Sequence, residues 1–355
     1  MKYISERPYK RATNAFSRYG YFGGYKISGV IYMKYRFILV VLFVIICISL
    51  LFSSQAESFQ SIKVDIGNEV GHYFYKLGLC ILQKKDFEYL RNVTGEKLDM
   101  GEHFFFQSFP TFLKYDYDEI HDNLNANGIT EENVHDKMGH IIHGLSSHEM
   151  ANDTRYNFWI CMKPLVQKIL NDAFEKSGLT RTVPNPIIHF RCSDTPFLRY
   201  EGYHLQAYSF FKKALEVIAD KIKQPIKTVD IVSFVSHKSG ESEQKSCNIY
   251  LNALRDYLVG EGYNVNLGDN SNIDDFASLF YAPAVISTGS SFSFMSGFFG
   301  KGVFITTELD AGKLCNACSD ITLYEYNLPH TLVKDYHDTD TVIELLRQPS
   351  FPHSS

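Results

Sequence analysis

Short apolar runs alternate with amphipathic segments through the second half of the chain. The apolar runs predict strands at residues 186–191, 228–236, 264–267, 284–287 and 302–306. The segments between them have helical apolar spacing and predict helices at residues 203–223, 247–262 and 273–281. Repeated strand–helix units of this kind are typical of a parallel, doubly wound sheet. Residues 181–348 are therefore predicted to form one α/β domain.

The first half of the chain opens on the same pattern but does not keep it. An apolar run at 62–66 predicts a strand, Gly67 follows directly, and helical spacing predicts a helix at 72–87. A strand, a glycine turn and a helix are typical of the start of a Rossmann-like domain, where N–H groups at the helix start bind anions. One further helix is predicted, at 164–177. We expect residues 61–180 to form a second Rossmann-like domain, facing the other across a cleft.

One uncharged apolar run, residues 37–53, predicts a single transmembrane helix. The tail before it, residues 1–36, carries eight basic residues and one acid, Glu6, so the positive-inside rule places this tail in the cytoplasm. A short stem, residues 54–60, then leads into a luminal region. A buried core helix and a cleaved signal peptide are the alternatives, and Ser54-Gln55-Ala56 keeps cleavage open.

The composition narrows the class of protein. The chain has 355 residues, of which 45% are hydrophobic, and a formal net charge of -5. These values fit a globular protein and argue against a nucleic-acid binder. N-glycosylation acceptors at Asn92 and Asn152 agree with a luminal location. Six cysteines follow the apolar run and allow one to three disulfides.

No metal site is predicted. Cys315 and Cys318 have the spacing of half a zinc site, but no second Cys or His pair stands near them, so a local disulfide or two free thiols is favoured. Four histidines cluster in the first half of the chain, at His135, His140, His143 and His148. A metal or acid–base role is conceivable for them. Without carboxylates at a defined spacing, we interpret them as surface or loop residues.

The first candidate for chemistry is the end of the predicted strand at 186–191. His189 and Arg191 lie two residues apart, so on a strand both side chains project to one face, and Asp194 follows just past the strand. Ligands bind at such strand ends in open α/β sheets. An arginine there can bind a phosphate with two hydrogen bonds. The alternative is an Arg–Asp pair that only holds a turn together.

The second candidate is the turn from Thr288 to Ser293, between a predicted strand and a helical turn. Gly289 allows a close approach of the backbone, Ser290 and Ser291 offer hydroxyls, and the start of a helix attracts an anion. The alternative is a serine that only caps the helix. Because Arg191 belongs to another strand end of the same predicted sheet, the two sites together favour phosphate binding.

Three motifs resemble those of a known enzyme group. They are Gly67-Asn68, the pattern His189-x-Arg191-x-x-Asp194, and Ser290-Ser291-Phe292-Ser293. In this order they resemble the GDP-fucose-dependent fucosyltransferases of the α1,2, α1,6 and protein O-fucosyltransferase superfamily, and the serine motif is most similar to the α1,2 branch. The resemblance runs from residue 62 to about residue 305 and is confined to these motifs. It implies a GT-B fold of two Rossmann-like domains, GDP-fucose as the donor, inversion at the anomeric carbon, and no metal or other cofactor.

The resemblance also implies roles for individual residues. Arg191 would bind the β-phosphate and stabilise the GDP leaving group, Asp194 would support the donor site, and Asp275 would face the nucleotide. Ser290 and Ser291 would contact the diphosphate. The other implied substrate-binding residues are Gly67, Asn68, His189, Thr288 and Phe292. Cys192-Ser193 stands where the family more usually has Arg-Gly or Arg-Thr, and this departure weakens the assignment to one linkage, although the motifs are most similar to those of the galactoside α1,2-fucosyltransferases.

An inverting transfer needs a base that takes the proton of the acceptor hydroxyl. Glu201, shortly after the Arg191 strand, is the first candidate, and His204 is the second. The alternatives are a solvated loop carboxylate and a surface histidine. His189 is expected to orient Arg191.

The sequence thus predicts an inverting glycosyltransferase that moves fucose from GDP-fucose to a glycan or glycoprotein acceptor. The predicted location is the Golgi or endoplasmic reticulum membrane, with one N-terminal anchor and a luminal catalytic region. Two alternatives stay open: another nucleotide-sugar transferase on the same fold, and a non-catalytic luminal lectin or scaffold that would tolerate loss of Arg191.

Overall fold

The structure, a computed structural model, describes residues 66–89, 104–135, 152–199, 204–233, 239–268, 271–306 and 326–351. Its strands are β1 (Phe87–Glu88), β2 (Phe112–Leu113), β3 (Ile187–Phe190), β4 (Thr228–Ser233), β5 (Asn264–Leu267), β6 (Ala284–Ser287) and β7 (Val303–Thr306). Its helices in the first half are α1 (Ile66–Leu82), α2 (Phe104–Gln107), α3 (Asp118–Ala126), α4 (Glu131–His135) and α5 (Asn152–Lys176). Those in the second half are α6 (Thr195–Leu198), α7 (Tyr208–Ile222), α8 (Glu241–Gly260), α9 (Asn272–Tyr281), α10 (Ser291–Ser293) and α11 (Thr339–Leu346). A π-helix, Phe294–Phe298, continues α10, and a 3-10 helix covers His330–Leu332.

Five strands form one parallel sheet in the order β5-β4-β3-β6-β7. From β3 the chain winds outward through β4 to β5, then returns to the other side of β3 and continues through β6 to β7. This is the order of a Rossmann-like sheet, and the direction of winding reverses between β3 and β6. The prediction of a parallel α/β sheet in the second half is confirmed.

Helices cover both faces of this sheet, because side chains on each strand alternate between two cores. Ile187 and Val285 point into one core, together with side chains of α1, α5 and α9. Ile188 and Ile286 point into the other, together with side chains of α7, α8 and α11. The sheet is therefore the middle layer of three.

The predicted architecture of two Rossmann-like domains behind a transmembrane helix is wrong for the described residues. Between Ile66 and Lys176 they contain helices and one two-stranded antiparallel ribbon, β1 with β2. These helices pack on the single parallel sheet, and the chain from Val64 to Ser355 forms one compact unit. The GT-B arrangement is thereby corrected to one sheet with a helical layer on each face.

The start of α1 explains the wrong prediction. Ile66, Val70, Tyr73 and Leu77 recur at helical spacing and are all buried, so Ile66 belongs to the apolar face of a helix and not to the end of a strand. Gly67 lies in the first turn of that helix rather than in a turn before it. Residues 62–65 lie outside the described part of the chain.

Within the described ranges, no helix combines the length and the apolar character needed to cross a membrane. The predicted anchor at 37–53, the tail 1–36 and the stem 54–60 lie outside those ranges.

Candidate functional site

The two predicted sites lie side by side at the carboxyl ends of neighbouring strands. His189 on β3 is paired with Ser287 on β6, and Arg191 and Thr288 are the first residues after these two strands. β3 and β6 flank the point at which the winding of the sheet reverses. This is the crevice where open α/β sheets bind their ligands.

Side-chain hydroxyl groups join the end of β3 to its neighbours β4 and β6, just beyond the last backbone hydrogen bonds of the sheet. The backbone N–H of Arg191 donates to Oγ1 of Thr288 at 2.8 Å, and the Thr288 hydroxyl donates to the carbonyl oxygen of His189 at 3.2 Å. On the other side, the Ser233 hydroxyl donates to the carbonyl of Phe190 at 2.9 Å. The backbone at Arg191 is therefore fixed against both neighbouring strands.

The Arg191 side chain reaches the serine turn itself. Its Nη1 donates to Oγ of Ser290 at 3.3 Å. The same oxygen accepts the backbone N–H of Phe292 at 3.2 Å, so Ser290 is also the N-cap of α10. Ser290 therefore both caps the helix and contacts Arg191, so the two interpretations of this serine are compatible. A hydroxyl that accepts two hydrogen bonds still has its proton to donate.

Buried hydroxyls hold the serine turn in one shape. Oγ of Ser287 lies 2.7 Å from Oγ of Ser293 and accepts the backbone N–H of Gly289 at 3.2 Å. Ser293 donates to the carbonyl of Ser290 at 3.3 Å. Gly289 has φ of 84°, a conformation that favours glycine. The turn is thus built in advance of any ligand.

The first turn of α1 lies against this serine turn. A Cβ atom added to Gly67 would lie 2.3 Å from the backbone N of Phe292 and 2.4 Å from the carbonyl carbon of Ser291. Only a glycine allows this approach. The first turn of α1, which contains Gly67 and Asn68, therefore packs directly against the serine turn.

His189, two residues before Arg191 on β3, is a buried and neutral ring. It is 4% exposed and stacks on Phe292 with ring centroids 5.5 Å apart. Burial, and then the charge of Arg191, lower the pKa of His189 to about 3. Nδ1 of this ring is buried and has no hydrogen-bond partner among the described residues.

The beginning of α9 approaches the same turn. Phe276 packs edge-on against Phe292 with centroids 5.3 Å apart, and the neighbouring Asp275 is buried. The preceding residue, Asp274, accepts a hydrogen bond from Nη2 of Arg181 at 2.7 Å, and this bond and the Ser271 hydroxyl lower the pKa of the carboxyl. Asp275 thus lies in the first turn of a helix that contacts the site, next to a residue held by Arg181.

The remaining predicted residues divide into three cases. Asp194 follows β3 and precedes α6, and its Oδ1 accepts the Ser193 hydroxyl at 2.9 Å. His204 is not in described contact with Arg191 or the serine turn: its Nδ1 donates to the carbonyl of Leu328 at 3.1 Å. Glu201, the first candidate for the base, lies outside the described residues.

His204 instead belongs to a second cluster of rings. It lies against His330 with centroids 4.5 Å apart, and burial, followed by the charge of His330, lowers the pKa of His204. Segments 204–207 and 326–328 pair in antiparallel fashion around it, through the Gln206–Asn327 bridge. The described contacts of His204 are therefore structural.

The sequence did not identify a disulfide that adjoins the site. Cys192, the residue after Arg191, is bonded to Cys247 on α8, with Cα atoms 5.5 Å apart. The two cysteines are 55 positions apart in sequence, so only the folding of α8 onto the sheet brings them together. The sequence shows Cys192 next to Arg191, but this position does not indicate which cysteine bonds to Cys192.

No group of three or more potential metal ligands occurs among the described residues. Cys315, Cys318, His140, His143 and His148 lie outside them, and His135 ends α4.

The chemistry of the assembled site favours an anion. A guanidinium and a hydroxyl with a proton to donate meet in one crevice, and the first turn of α1 packs against the serine turn there. The neutral His189 adds no competing positive charge.

No protein-family model matches this chain, and neither a curated protein nor a solved structure is similar to it.

Proposed function

We propose that this chain is an inverting glycosyltransferase that transfers fucose from GDP-fucose to the hydroxyl of a glycan or glycoprotein. The observation that carries the proposal is the contact between Arg191 and Ser290, at 3.3 Å, across the carboxyl ends of β3 and β6. Two motifs that the resemblance assigns to one diphosphate lie in one place, although 99 residues separate them in sequence.

The site suits the leaving group of this reaction. When the bond between the anomeric carbon and the β-phosphate oxygen breaks, GDP departs with the electron pair and negative charge grows on the phosphate. The Arg191 guanidinium can donate two hydrogen bonds to it, and Ser290 a third. Because His189 is neutral, its ring does not compete with Arg191 for the phosphate or repel the guanidinium.

The second half of the reaction needs a base. The acceptor oxygen forms the new bond to the anomeric carbon, and its proton passes to a carboxylate or imidazole. Glu201 is proposed for this role, and His204 is the second candidate. His204 is neutral near pH 7, because its pKa is lowered, but one ring nitrogen is engaged with Leu328.

A donor screen tests the proposal. The purified chain from Val64 onward is offered GDP-fucose, GDP-mannose and UDP-sugars, and both hydrolysis and transfer are measured. We expect activity with GDP-fucose. This activity should be lost in Arg191→Lys, because lysine keeps the positive charge but cannot form the bidentate hydrogen bonds of a guanidinium. A UDP-sugar as the preferred donor would replace the proposal with another nucleotide-sugar transferase. No turnover or binding of any donor would favour the lectin or scaffold alternative.

We further propose that this region acts in the lumen of the endoplasmic reticulum or Golgi. The disulfide between Cys192 and Cys247 supports this location, because such bonds persist in oxidising compartments and are rare in the cytosol. Protease added to sealed microsomes should spare the region from Val64 onward, and its digestion in intact vesicles would contradict the proposal.

A further inference from the structure

Arg191 stands just beyond the last ladder pairs of its strand. The last residues of β3 that pair are His189 with Ser287 and Phe190 with Ser233. From Arg191 the chain leaves the sheet and enters α6 at Thr195. A residue at such a position depends on other contacts to keep its side chain in place.

Two restraints act on this short segment from opposite sides. On one side, the Thr288 hydroxyl accepts the backbone N–H of Arg191 at 2.8 Å. On the other side, the next residue, Cys192, is bonded covalently to Cys247. Cys247 lies on α8, a 20-residue helix, and both cysteines are fully buried. The covalent bond thus connects the segment after Arg191 to a long helix in the layer formed by α7, α8 and α11.

We infer that the Cys192–Cys247 disulfide is a positioning element for the Arg191 guanidinium, holding it in reach of the diphosphate. This inference rests on the proposed function for the identity of the ligand. The physical reason is pre-organisation: a side chain already fixed in its bound position loses less conformational freedom on binding.

Calorimetric titration separates positioning from general stability. In Cys192→Ala/Cys247→Ala, we expect the affinity for GDP to fall by about tenfold, the order of effect for a side chain that must be ordered on binding. The affinity for GMP, which lacks the β-phosphate, should stay near that of the parent. In an Arg191→Ala background, removal of the disulfide should cause no further loss, because the group that it positions is absent.

Leu254→Ala is the matched control. Leu254 is fully buried on α8, so its truncation destabilises the same helix and leaves the disulfide in place. All titrations are made well below the unfolding transition of each variant. The control should bind GDP as the parent does.

Hydrogen exchange provides a readout that needs no ligand. Peptides covering residues 191–199 should exchange faster without the disulfide, whereas peptides of β3 and α8 should not. Unchanged exchange at 191–199, or GDP affinity equal to that of the parent, would overturn the inference. If the parent itself does not bind GDP, the proposed function fails, and the restraint on Arg191 is then decided by the exchange result alone.

Discussion

At the residue scale, Arg191 is oriented by two residues of one turn. Its backbone N–H donates to Thr288 and its guanidinium donates to Ser290. Both of these acceptors are uncharged hydroxyl groups. His189 completes the arrangement as a buried neutral ring. Polar groups are thus arranged around an arginine at the carboxyl end of a buried strand, which is where open α/β sheets bind their ligands.

Burial of His189 makes the stability of the protein depend on pH. The pKa of His189 is about 3 in the folded chain, against an ordinary value of 6.5. Protons therefore bind the unfolded form first, and the stability contributed by the neutral ring is complete above pH 6.5 and is lost as the pH falls toward 3. Between about pH 7.5 and about pH 5, this one group should lower the free energy of unfolding by about 2 kcal/mol.

Urea unfolding of the parent and of His189→Gln at these two pH values measures this effect. The variant should lose about 2 kcal/mol less than the parent on acidification. The matched control, His337→Gln, changes an exposed histidine and retains His189 and its share of the pH dependence. Equal losses in the parent and in His189→Gln would show that His189 is not a buried neutral ring.

Single residues could be predicted from sequence where a local rule fixes their place. The strand pattern around His189 and Arg191 and the glycine–serine turn each indicate a strand end, and parallel strands bring their carboxyl ends to one edge. The pairing of Cys192 with Cys247 follows from no such rule. It depends on how α8 packs against the sheet.

At the element scale, α1 shows a glycine that has a packing role. Gly67, directly after a short apolar run, suggested a turn after a strand. In the structure Gly67 is instead part of the helix and lies against the backbone of Ser291 and Phe292. A sequence pattern does not distinguish a glycine required by backbone conformation from one required by close approach of another element.

Replacing Gly67 with alanine tests that contact. The new Cβ would lie 2.3 Å from a backbone nitrogen, so α1 or the serine turn must move. Gly67→Ala should lower the free energy of unfolding by about 1–3 kcal/mol, as overpacking does, and should weaken GDP binding.

Gly260→Ala is the control for helix propensity, because a Cβ there has no neighbour within 4 Å. It should leave stability unchanged or raise it by up to about 1 kcal/mol. Equal effects of the two changes, measured by urea unfolding, would contradict the close approach of α1 to the serine turn.

Helix α5 illustrates how tertiary packing overrides a local signal. Pro164 suggested the start of a helix, but the helix begins at Asn152 and continues through the proline. Trp159, before the proline, is fully buried and packs on Phe299 with ring centroids 5.6 Å apart. Contacts of this kind join α5 to the π-helix region across more than a hundred residues, and the sequence alone does not reveal them.

At the scale of the whole molecule, the second half supplies the sheet and the first half supplies a layer that covers it. The alternation of strands and helices predicted the sheet correctly. The first half was predicted as a second sheet domain because its opening resembled a strand, a glycine turn and a helix. Its aromatic side chains, such as Phe105 and Phe174, instead pack with Phe276 on the face of the single sheet.

The central claim is that Arg191 binds the diphosphate of a guanosine nucleotide, and calorimetric titration of GDP tests it most directly. The parent should bind GDP, and Arg191→Ala should bind it about a hundredfold more weakly, from the loss of charge-assisted hydrogen bonds. Arg255→Ala, which removes an exposed arginine paired with Asp256, should bind GDP as the parent does. An affinity for GDP that Arg191→Ala leaves unchanged would contradict the assignment of this site.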